Sequence, residues 1–313
     1  MLNILFHNAA GSEISAQLKA LSELRIGLCP ETDDELLRRL LPQTDVLWHV
    51  LKPCTAAMIA AAPRLRLIQK IGVGVNTIDL EAARARGIAV CNLPGTNAQA
   101  VAELTLLLML ACLRKLPQYD AAMRAGKGWA LPPSVQDGLG ELSGRTVGLV
   151  GYGAVPKALA PVLRAFGCRV LYTARSPRTE TPDIFTSLPD LLTQSDIVSL
   201  HIPQTPETEN LLDAAALARM KRGAILINTA RGGLVDEAAL VAALQSGHLA
   251  AAGLDVFAQE PADPANPLFT LSNTVLAPHV GWLTSATFAR SFAIAAENCR
   301  RLAAGQDLLH RLA

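Results

Sequence analysis

The segment T-V-G-L-V-G-Y-G-A-V-P, residues 146–156, joins a short apolar run to two closely spaced glycines and the start of a helical pattern. In a parallel α/β sheet, Gly151 permits the tight turn after the strand and Gly153 lets a phosphate group approach the backbone. The helix that follows points its N-terminus at the same place, where a negative charge is stabilised. The segment therefore predicts the pyrophosphate-binding turn of a doubly wound dinucleotide fold.

The glycine fingerprint of this turn is incomplete, because Pro156 occupies its third position. Proline is tolerated in a first helical turn, where its missing N–H would have no partner within the helix. Pro161 lies a turn further on and removes a backbone hydrogen bond, so a bent or locally opened helix is expected there.

Apolar runs alternate with amphipathic segments on both sides of this turn, which favours parallel strands joined by crossover helices. Four runs precede it, L-N-I-L-F, D-V-L-W-H-V, L-R-L-I-Q-K-I and I-A-V-C-N, and the turn's own strand starts a series of six. A helical pattern from Asn97 to about Ala125 and a Gly/Pro-rich loop separate the two series. The sequence predicts an α/β protein with two Rossmann-like doubly wound parallel-sheet domains, the cofactor domain (98–283) inserted in a flavodoxin-like substrate domain (1–97 plus 284–313).

The composition is that of a globular protein: 28 basic residues face 27 acidic ones, and half of the residues are hydrophobic. A basic excess typical of nucleic-acid binders is absent. The longest apolar run, 104–113, is short of the roughly 20 residues that cross a bilayer. No signal peptide is recognisable, and the six cysteines lack metal-site spacing, so we expect a cytoplasmic protein with reduced thiols, no structural metal, and neither nucleic-acid nor membrane partners.

Polar clusters follow three later strands, at the sheet edge where open parallel sheets bind ligands. They read N-T-A-R-G-G-L-V-D-E, A-G-L-D-V-F-A-Q-E-P and L-A-P-H-V-G-W. Together with G-V-G-V-N at 72–76 and G-T-N-A-Q-A-V-A-E at 95–103, and in this order over nearly the whole chain, they resemble the D-isomer-specific 2-hydroxyacid dehydrogenase family.

The resemblance implies a catalytic triad. Arg231 would bind the substrate carboxylate and polarise the carbonyl, for which a guanidinium offers paired planar donors. His279 would be the acid-base, and Glu260 would orient its imidazole and stabilise the charged form. The backbone of Val73 and Gly74 would bind the substrate carboxylate beside Arg231 and His279.

The resemblance also implies a nicotinamide cofactor. Asp255 would contact the nicotinamide amide, and His201, at a strand end beside the cofactor, is interpreted as structural. The cofactor-binding residues carried over in this way are Val101, Gly151, Tyr152, Gly153, Ala154, Val155, Ala174, Arg175, Ser176, His201, Ile202, Pro203, Thr229, Ala230, Asp255 and Gly281.

The stretch V-L-Y-T-A-R-S-P-R, 170–178, bears on which dinucleotide binds. An acid about 20 residues beyond the glycines accepts hydrogen bonds from the adenosine ribose and repels a 2′-phosphate. Here that position is Ala174, followed by Arg175, Ser176 and, nearby, Arg178, which resembles glyoxylate and hydroxypyruvate reductases that prefer NADPH. We predict NADP(H) as the preferred cofactor and NAD(H) as the second. The alternative is that Arg175 only stacks on adenine and that both bind.

Three positions depart from the family pattern or leave a role open. Trp282 stands where small residues are common after the catalytic histidine, and it could shape the substrate pocket or fill the hinge. Asn266 replaces a frequent histidine. Trp129 lies in a region that related enzymes use for dimer contacts, and the long helix after Asn97 has more apolar residues than one buried face needs, so we expect a homodimer.

The resulting prediction is an NAD(P)-dependent oxidoreductase that interconverts a small 2-keto acid and its D-2-hydroxy acid, with glyoxylate or hydroxypyruvate reduction by NADPH as the leading reaction. Oxidation of 3-phosphoglycerate or phosphite stays open. Formate oxidation fits less well, because that branch has a glutamine where Glu260 stands. A corepressor-like, dinucleotide-sensing binding protein is the non-enzymatic alternative, since such proteins keep the fold and the triad.

Overall fold

The computed structural model describes residues 1–313, which form two compact units. One unit comprises residues 1–97 and 282–313, and the other comprises residues 98–281. The second unit is therefore inserted in the sequence of the first. Each is a parallel α/β domain, as predicted.

The chain forms twelve strands and twelve α-helices. The strands are β1 (Asn3–His7), β2 (Arg25–Cys29), β3 (Val46–His49), β4 (Leu67–Lys70), β5 (Ala89–Cys91), β6 (Thr146–Val150), β7 (Arg169–Thr173), β8 (Ile184–Phe185), β9 (Ile197–Leu200), β10 (Ala224–Asn228), β11 (Leu249–Leu254) and β12 (Thr274–Leu276). The helices are α1 (Ser12–Ala20), α2 (Asp34–Leu40), α3 (Ala56–Ala60), α4 (Leu80–Ala85), α5 (Ala98–Arg114), α6 (Leu116–Arg124), α7 (Pro133–Asp137), α8 (Ala154–Ala165), α9 (Leu188–Gln194), α10 (Ala214–Arg219), α11 (Glu237–Gln245) and α12 (Ser285–Ala304).

The first unit contains a five-stranded parallel sheet in the order β2-β1-β3-β4-β5, the flavodoxin-like order. The central strands β3 and β4 are buried along their whole length, including three polar residues at their carboxyl ends, His49, Gln69 and Lys70. Strand β2 was not predicted, because only Cys29 of its five residues is fully buried and its pattern carries no hydrophobic periodicity. It pairs with β1 at one edge of the sheet.

The C-terminal helix α12 packs on the first sheet. Its Phe292 stacks on Trp48 of β3 with ring centroids 5.5 Å apart, and its Phe288 and Phe292 meet Phe6 of β1 edge to face. All four rings are buried, and each buries enough apolar area to stabilise the unit by about 1.5–3 kcal/mol. Aromatic packing therefore holds the C-terminal helix α12 on the sheet of the first unit.

The second unit contains a seven-stranded parallel sheet in the order β12-β11-β10-β9-β6-β7-β8. Strand order reverses between β6 and β9, which makes the carboxyl ends of these strands the topological switch point where such sheets bind ligands. Six of the seven strands match the predicted series. The seventh, β8, has only two residues, both exposed, and it extends the sheet beyond β7.

The helical pattern after Asn97 is two helices, and the prediction of one long helix was wrong. Helix α5 ends at Arg114, Lys115 adopts a left-handed conformation with φ 49°, and α6 begins at Leu116. Pro117 is the physical reason, because it has no N–H to continue the α5 ladder, whereas it is tolerated in the first turn of the new helix α6. Pro161, by contrast, lies inside α8, which continues to Ala165.

The structure has no helix that combines the length and apolarity needed to cross a membrane. All six cysteines are free and buried. Burial raises the pKa of the Cys112 thiol to about 12, and the same cause raises the pKa of the other five. These thiols are structural core residues.

Candidate active site

The turn after β6 fits a dinucleotide pyrophosphate. Gly151 has φ 100°, and a Cβ there would lie 2.7 Å from the carbonyl oxygen of His201, so only glycine is accommodated. Gly153 faces open space and precedes α8, whose first turn has no side-chain cap. The N–H groups of that turn can therefore receive a phosphate oxygen.

His201 and the residues after β9 border this turn. Burial lowers the pKa of His201 to about 3, and its Nε2 lies 2.9 Å from the Ser199 hydroxyl. The imidazole is therefore neutral at physiological pH, which is consistent with a structural role. On the other side of β6, β7 ends at Thr173 and is followed by the half-buried Ala174 and the exposed Arg175 and Ser176.

Arg231 follows β10 in a loop that is fixed by Asn228. The buried Asn228 amide accepts a hydrogen bond from the Ala230 N–H at 3.0 Å and donates one to the Arg231 carbonyl at 2.8 Å. Gly232 is required next, since a Cβ there would lie 1.9 Å from the carbonyl carbon of Phe257. The loop after β10 is therefore packed directly against the loop that follows β11.

The side chain of Arg231 is largely removed from water. Its Nη1 donates to the Ala230 carbonyl at 2.6 Å, and burial lowers the pKa of the guanidinium although the charge of Glu260 raises it. A guanidinium keeps its charge in such a place because its reference pKa exceeds about 12. Arg231 therefore provides a desolvated cation near Glu260.

Glu260 and His279 form a hydrogen-bonded pair at the carboxyl ends of β11 and β12. Glu260 Oε2 lies 2.5 Å from His279 Nδ1, and its Oε1 accepts the Phe257 N–H at 3.1 Å. Burial raises the pKa of Glu260, but His279, the Phe257 N–H and Arg231 together outweigh burial and hold it below its ordinary value. The carboxylate stays ionised, so Nδ1 carries a proton and the opposite ring nitrogen, Nε2, is the one to exchange a proton with substrate.

Asp255, the first residue after β11, holds the His279 loop in place. Its two carboxylate oxygens accept the N–H groups of Val280 and Gly281 at 2.8 Å each, and its carbonyl accepts the His279 N–H at 2.7 Å. His279 itself has φ 55°, a left-handed conformation that costs energy for a non-glycine residue and needs such support. Burial raises the pKa of Asp255 despite the two N–H donors.

Two further hydroxyl groups connect helix α5 to β10. Thr229, a predicted cofactor residue, lies 2.9 Å from the buried Thr105 hydroxyl, which donates to the Val101 carbonyl at 2.7 Å. Val101, also a predicted cofactor residue, is therefore joined to the loop after β10 through Thr105. The predicted cofactor residues thus lie at the carboxyl ends of β6, β7, β9, β10 and β11, in the loop after β12, and in the first turns of α5 and α8.

The predicted substrate turn belongs to the first unit. Val73 is 42 % exposed, its carbonyl accepts the Asn92 side chain at 2.9 Å, and the Gly72 carbonyl accepts the Leu93 N–H at 2.8 Å. In the same unit Trp282 packs edge to face on Phe288, with ring centroids 5.4 Å apart. The indole is therefore part of that unit's aromatic core.

Sequence reasoning missed Asn228 and Glu237 as residues that build this site. Glu237 accepts the Ala258 N–H at 3.1 Å and the Asn266 amide at 2.7 Å, which holds the loop that carries Glu260. Asn266, flagged only as a departure from the family pattern, also caps a short 3₁₀ turn through the Leu268 N–H. Asn228 and Glu237 both lie in the polar cluster that follows β10. The sequence of that cluster does not show which neighbouring loop each side chain contacts.

The sheet of the second unit has a glycine turn at its switch point. A cation, a carboxylate and an imidazole lie at the same edge. This combination defines a nicotinamide-dependent dehydrogenase. Residues 106–281 match the NAD-binding domain of the D-isomer-specific 2-hydroxyacid dehydrogenases, which is more than half of the chain. The chain belongs to that family, and it is an NAD(P)-dependent enzyme that interconverts 2-keto and 2-hydroxy acids.

Individual relatives agree with this assignment. The chain is 42% identical to a glyoxylate reductase of Aeropyrum pernix over 257 residues, which is 80% of this chain and 76% of the relative. It is 41% identical to a D-3-phosphoglycerate dehydrogenase of Mycobacterium leprae over 88% of this chain, but it spans only 52% of that protein. Among solved structures, an NADPH-dependent glyoxylate/hydroxypyruvate reductase of Sinorhizobium meliloti in complex with NADP and malonate matches with a TM-score of 0.83 and 31% identity, covering 100% of this chain and 97% of that one.

Proposed function

We propose that the enzyme reduces glyoxylate or hydroxypyruvate with NADPH. The observation that carries this proposal is the Glu260–His279 hydrogen bond of 2.5 Å on the same sheet edge as the desolvated Arg231. A 2-keto acid has a carboxylate and a carbonyl side by side, and these three groups provide a planar cation and a proton donor for them. The names of the matched relatives, glyoxylate reductase and glyoxylate/hydroxypyruvate reductase, support the choice of small 2-keto acids.

In the proposed reaction His279 is the proton donor. With Glu260 bonded to Nδ1, the protonated imidazole presents its Nε2–H to the carbonyl oxygen and becomes neutral as the hydroxyl forms. Glu260 stabilises the charged imidazole before the transfer and keeps its ring in one orientation. A bound nicotinamide dinucleotide supplies the hydride. In the oxidative direction the neutral His279 takes the proton back.

Arg231 is proposed to bind the substrate carboxylate and polarise the carbonyl with its two-pronged guanidinium. The N–H groups of Val73 and Gly74, in the first unit, stay predicted donors to a carboxylate, and the Gly72 and Val73 carbonyls of the same turn accept hydrogen bonds from Leu93 and Asn92. Backbone donors in such a turn bind an anion without adding a charge. We therefore propose that the substrate is recognised through its carboxylate and not through a large substituent.

A panel of 2-keto acids assayed with each reduced cofactor tests the proposed function. We expect glyoxylate and hydroxypyruvate to give the highest kcat/KM. Faster oxidation of 3-phosphoglycerate or phosphite than reduction of any keto acid would favour those alternative reactions. Absence of turnover with every acid, together with dinucleotide binding, would favour the corepressor-like alternative.

The loop after β7 supports NADPH as the preferred cofactor. Ala174 provides no carboxylate to repel a 2′-phosphate, and the exposed Arg175 and Ser176 offer a charged donor and a hydroxyl beside it. The solved Sinorhizobium relative is named as NADPH-dependent.

Ala174→Asp is therefore expected to reverse the cofactor order. The new carboxylate would accept the ribose hydroxyls of NADH and repel the 2′-phosphate of NADPH, so kcat/KM with NADPH should fall by at least about tenfold, the effect of roughly 1.4 kcal/mol. Ala57→Asp, which adds the same charge to the first turn of α3 in the other unit, is the control. Equal or better kcat/KM with NADH in the parent protein would contradict the preference.

We also propose a homodimer formed through α5, α6 and the loop after them. Large apolar side chains are exposed along this segment, with Leu107 53 %, Leu116 56 %, Met123 51 % and Trp129 93 % exposed. Light scattering at micromolar concentration should give twice the chain mass of 33.1 kDa. Trp129→Ser should weaken the dimer, whereas Phe166→Ser, at a 45 % exposed ring outside the segment, should not. A monomer mass for the parent would refute the proposal.

A further inference from the structure

The loop between β7 and β8, residues 174–183, is exposed at its start and hydrogen-bonded to neighbouring elements in its second half. Arg175, Ser176 and Pro177 are exposed at the end that follows Thr173. The second half of the loop returns to the sheet, and hydrogen bonds to side chains of β7 and of the turn after β6 hold it there. Two of these side chains are tyrosines, and Phe185 of β8 extends the stack that their rings form.

Tyr172, in β7, fixes the backbone at Arg178. Its hydroxyl oxygen accepts the Arg178 N–H at 2.6 Å and donates to the Arg178 carbonyl at 3.4 Å, while the ring is 1% exposed. The side chain of Arg178 has a buried Nε with no hydrogen-bond partner in the chain. Arg178 as a whole is half-buried, so its guanidinium adds a positive charge to the loop beside Arg175.

Tyr152, between the two glycines of the pyrophosphate turn, fixes the next part of the loop. Its hydroxyl lies 2.7 Å from the Thr181 hydroxyl and donates to the carboxylate of Asp183, which is 1% exposed. Arg164 of α8 donates to the same carboxylate at 2.6 Å, and Thr181 does so at 2.8 Å. The Tyr152 and Tyr172 rings are 4.3 Å apart. One buried network therefore joins the pyrophosphate turn, helix α8 and the cationic loop.

We propose that Tyr152 and Tyr172 are positioning residues for the 2′-phosphate of the cofactor, and that Arg178 is the loop residue through which Tyr172 acts. The inference rests on the proposed preference for NADPH. A loop held at Arg178 and Asp183 loses little conformational freedom when a phosphate binds, so its donors bind more tightly than those of a mobile loop. The Tyr152 network aligns this site with the turn that binds the pyrophosphate of the same molecule.

The test uses two probes that differ only in the 2′-phosphate, adenosine 2′,5′-bisphosphate and 5′-AMP. Calorimetric titration of the full-length protein gives the ratio of their dissociation constants. Tyr172→Phe and Tyr152→Phe remove one hydroxyl each, and each should reduce the preference for the bisphosphate by about three- to tenfold, the effect of one hydrogen bond of ordinary strength. Tyr119→Phe in α6 is the matched control and should keep the parent ratio.

A parent protein that discriminates between the probes, with variants that keep its ratio within twofold, would overturn the positioning role alone. A parent that binds both probes equally would overturn the NADPH preference and the positioning role together. In an Arg178→Ala background, Tyr172→Phe should no longer change the ratio, and an undiminished effect there would refute action through Arg178. Thermal unfolding of each variant confirms the fold, and Tyr152→Phe carries the test if Tyr172→Phe does not fold.

Discussion

Replacing His279 by alanine should lower kcat for the best keto acid by about 10²- to 10⁴-fold, the usual contribution of general acid–base catalysis. KM should change much less, because the imidazole acts on the carbonyl oxygen as charge develops there. The effect follows from the Glu260–His279 contact of 2.5 Å, which fixes the tautomer and leaves Nε2 as the proton-transferring atom. Steady-state kinetics at saturating cofactor measures both constants.

His248→Ala is the matched control for this experiment. His248 precedes β11, at the opposite end of the strand from Asp255, and its Nε2 lies 3.1 Å from the Leu217 carbonyl. Its loss should affect stability and leave kcat unchanged. A His279→Ala enzyme with the kcat of the parent would remove His279 from the mechanism.

Arg231→Lys should lower kcat/KM by about ten- to a hundredfold. A hydrogen bond to a charged group is worth about 1.5–3 kcal/mol, and an ammonium cannot make the two-pronged contact to carboxylate and carbonyl that a guanidinium makes. The site adds to the loss, because Arg231 is desolvated and its Nη1 is already oriented by the Ala230 carbonyl at 2.6 Å. The lysine ammonium is smaller than the guanidinium and would not occupy the same position.

Arg222→Lys provides the control, because Arg222 is exposed and precedes β10 at the end of the strand opposite to Arg231. That variant should keep the parent kcat/KM. If Arg231→Lys stays within about threefold of the parent, the guanidinium does not bind the substrate carboxylate.

The sequence predicted buried strands well and exposed edges poorly. Strands such as β3 and β10 are apolar up to their last residue and buried throughout, as expected of strands covered by helices on both sheet faces. The edge strands β2 and β8 have no such pattern, since their pairing depends on a neighbouring strand and not on burial of their own side chains. The break at Lys115 was missed because the helical periodicity continues through Pro117, although the missing N–H of that proline ends the α5 ladder.

For the site, the residue types of the triad were read from the sequence, whereas the supporting contacts were not. The contacts of Asn228 and Glu237 depend on which loops meet at the sheet edge, and a pattern along one segment does not contain that information. The same holds for Tyr152, which was carried over as a cofactor residue and whose hydroxyl is bonded within the buried network of Asp183. The role of Asp255 toward the nicotinamide amide stays a prediction, beside the observed hydrogen bonds to Val280 and Gly281.

The central claim is that this chain catalyses stereospecific reduction of a small 2-keto acid at the Arg231–Glu260–His279 site. The most direct test is to incubate the purified protein with hydroxypyruvate and NADPH, follow cofactor oxidation, and determine the enantiomer of the glycerate formed. The account predicts stoichiometric formation of D-glycerate, and none by the His279→Ala enzyme above about one hundredth of the parent rate. Formation of L-glycerate or of a racemate, or no keto-acid reduction with either cofactor, would contradict it.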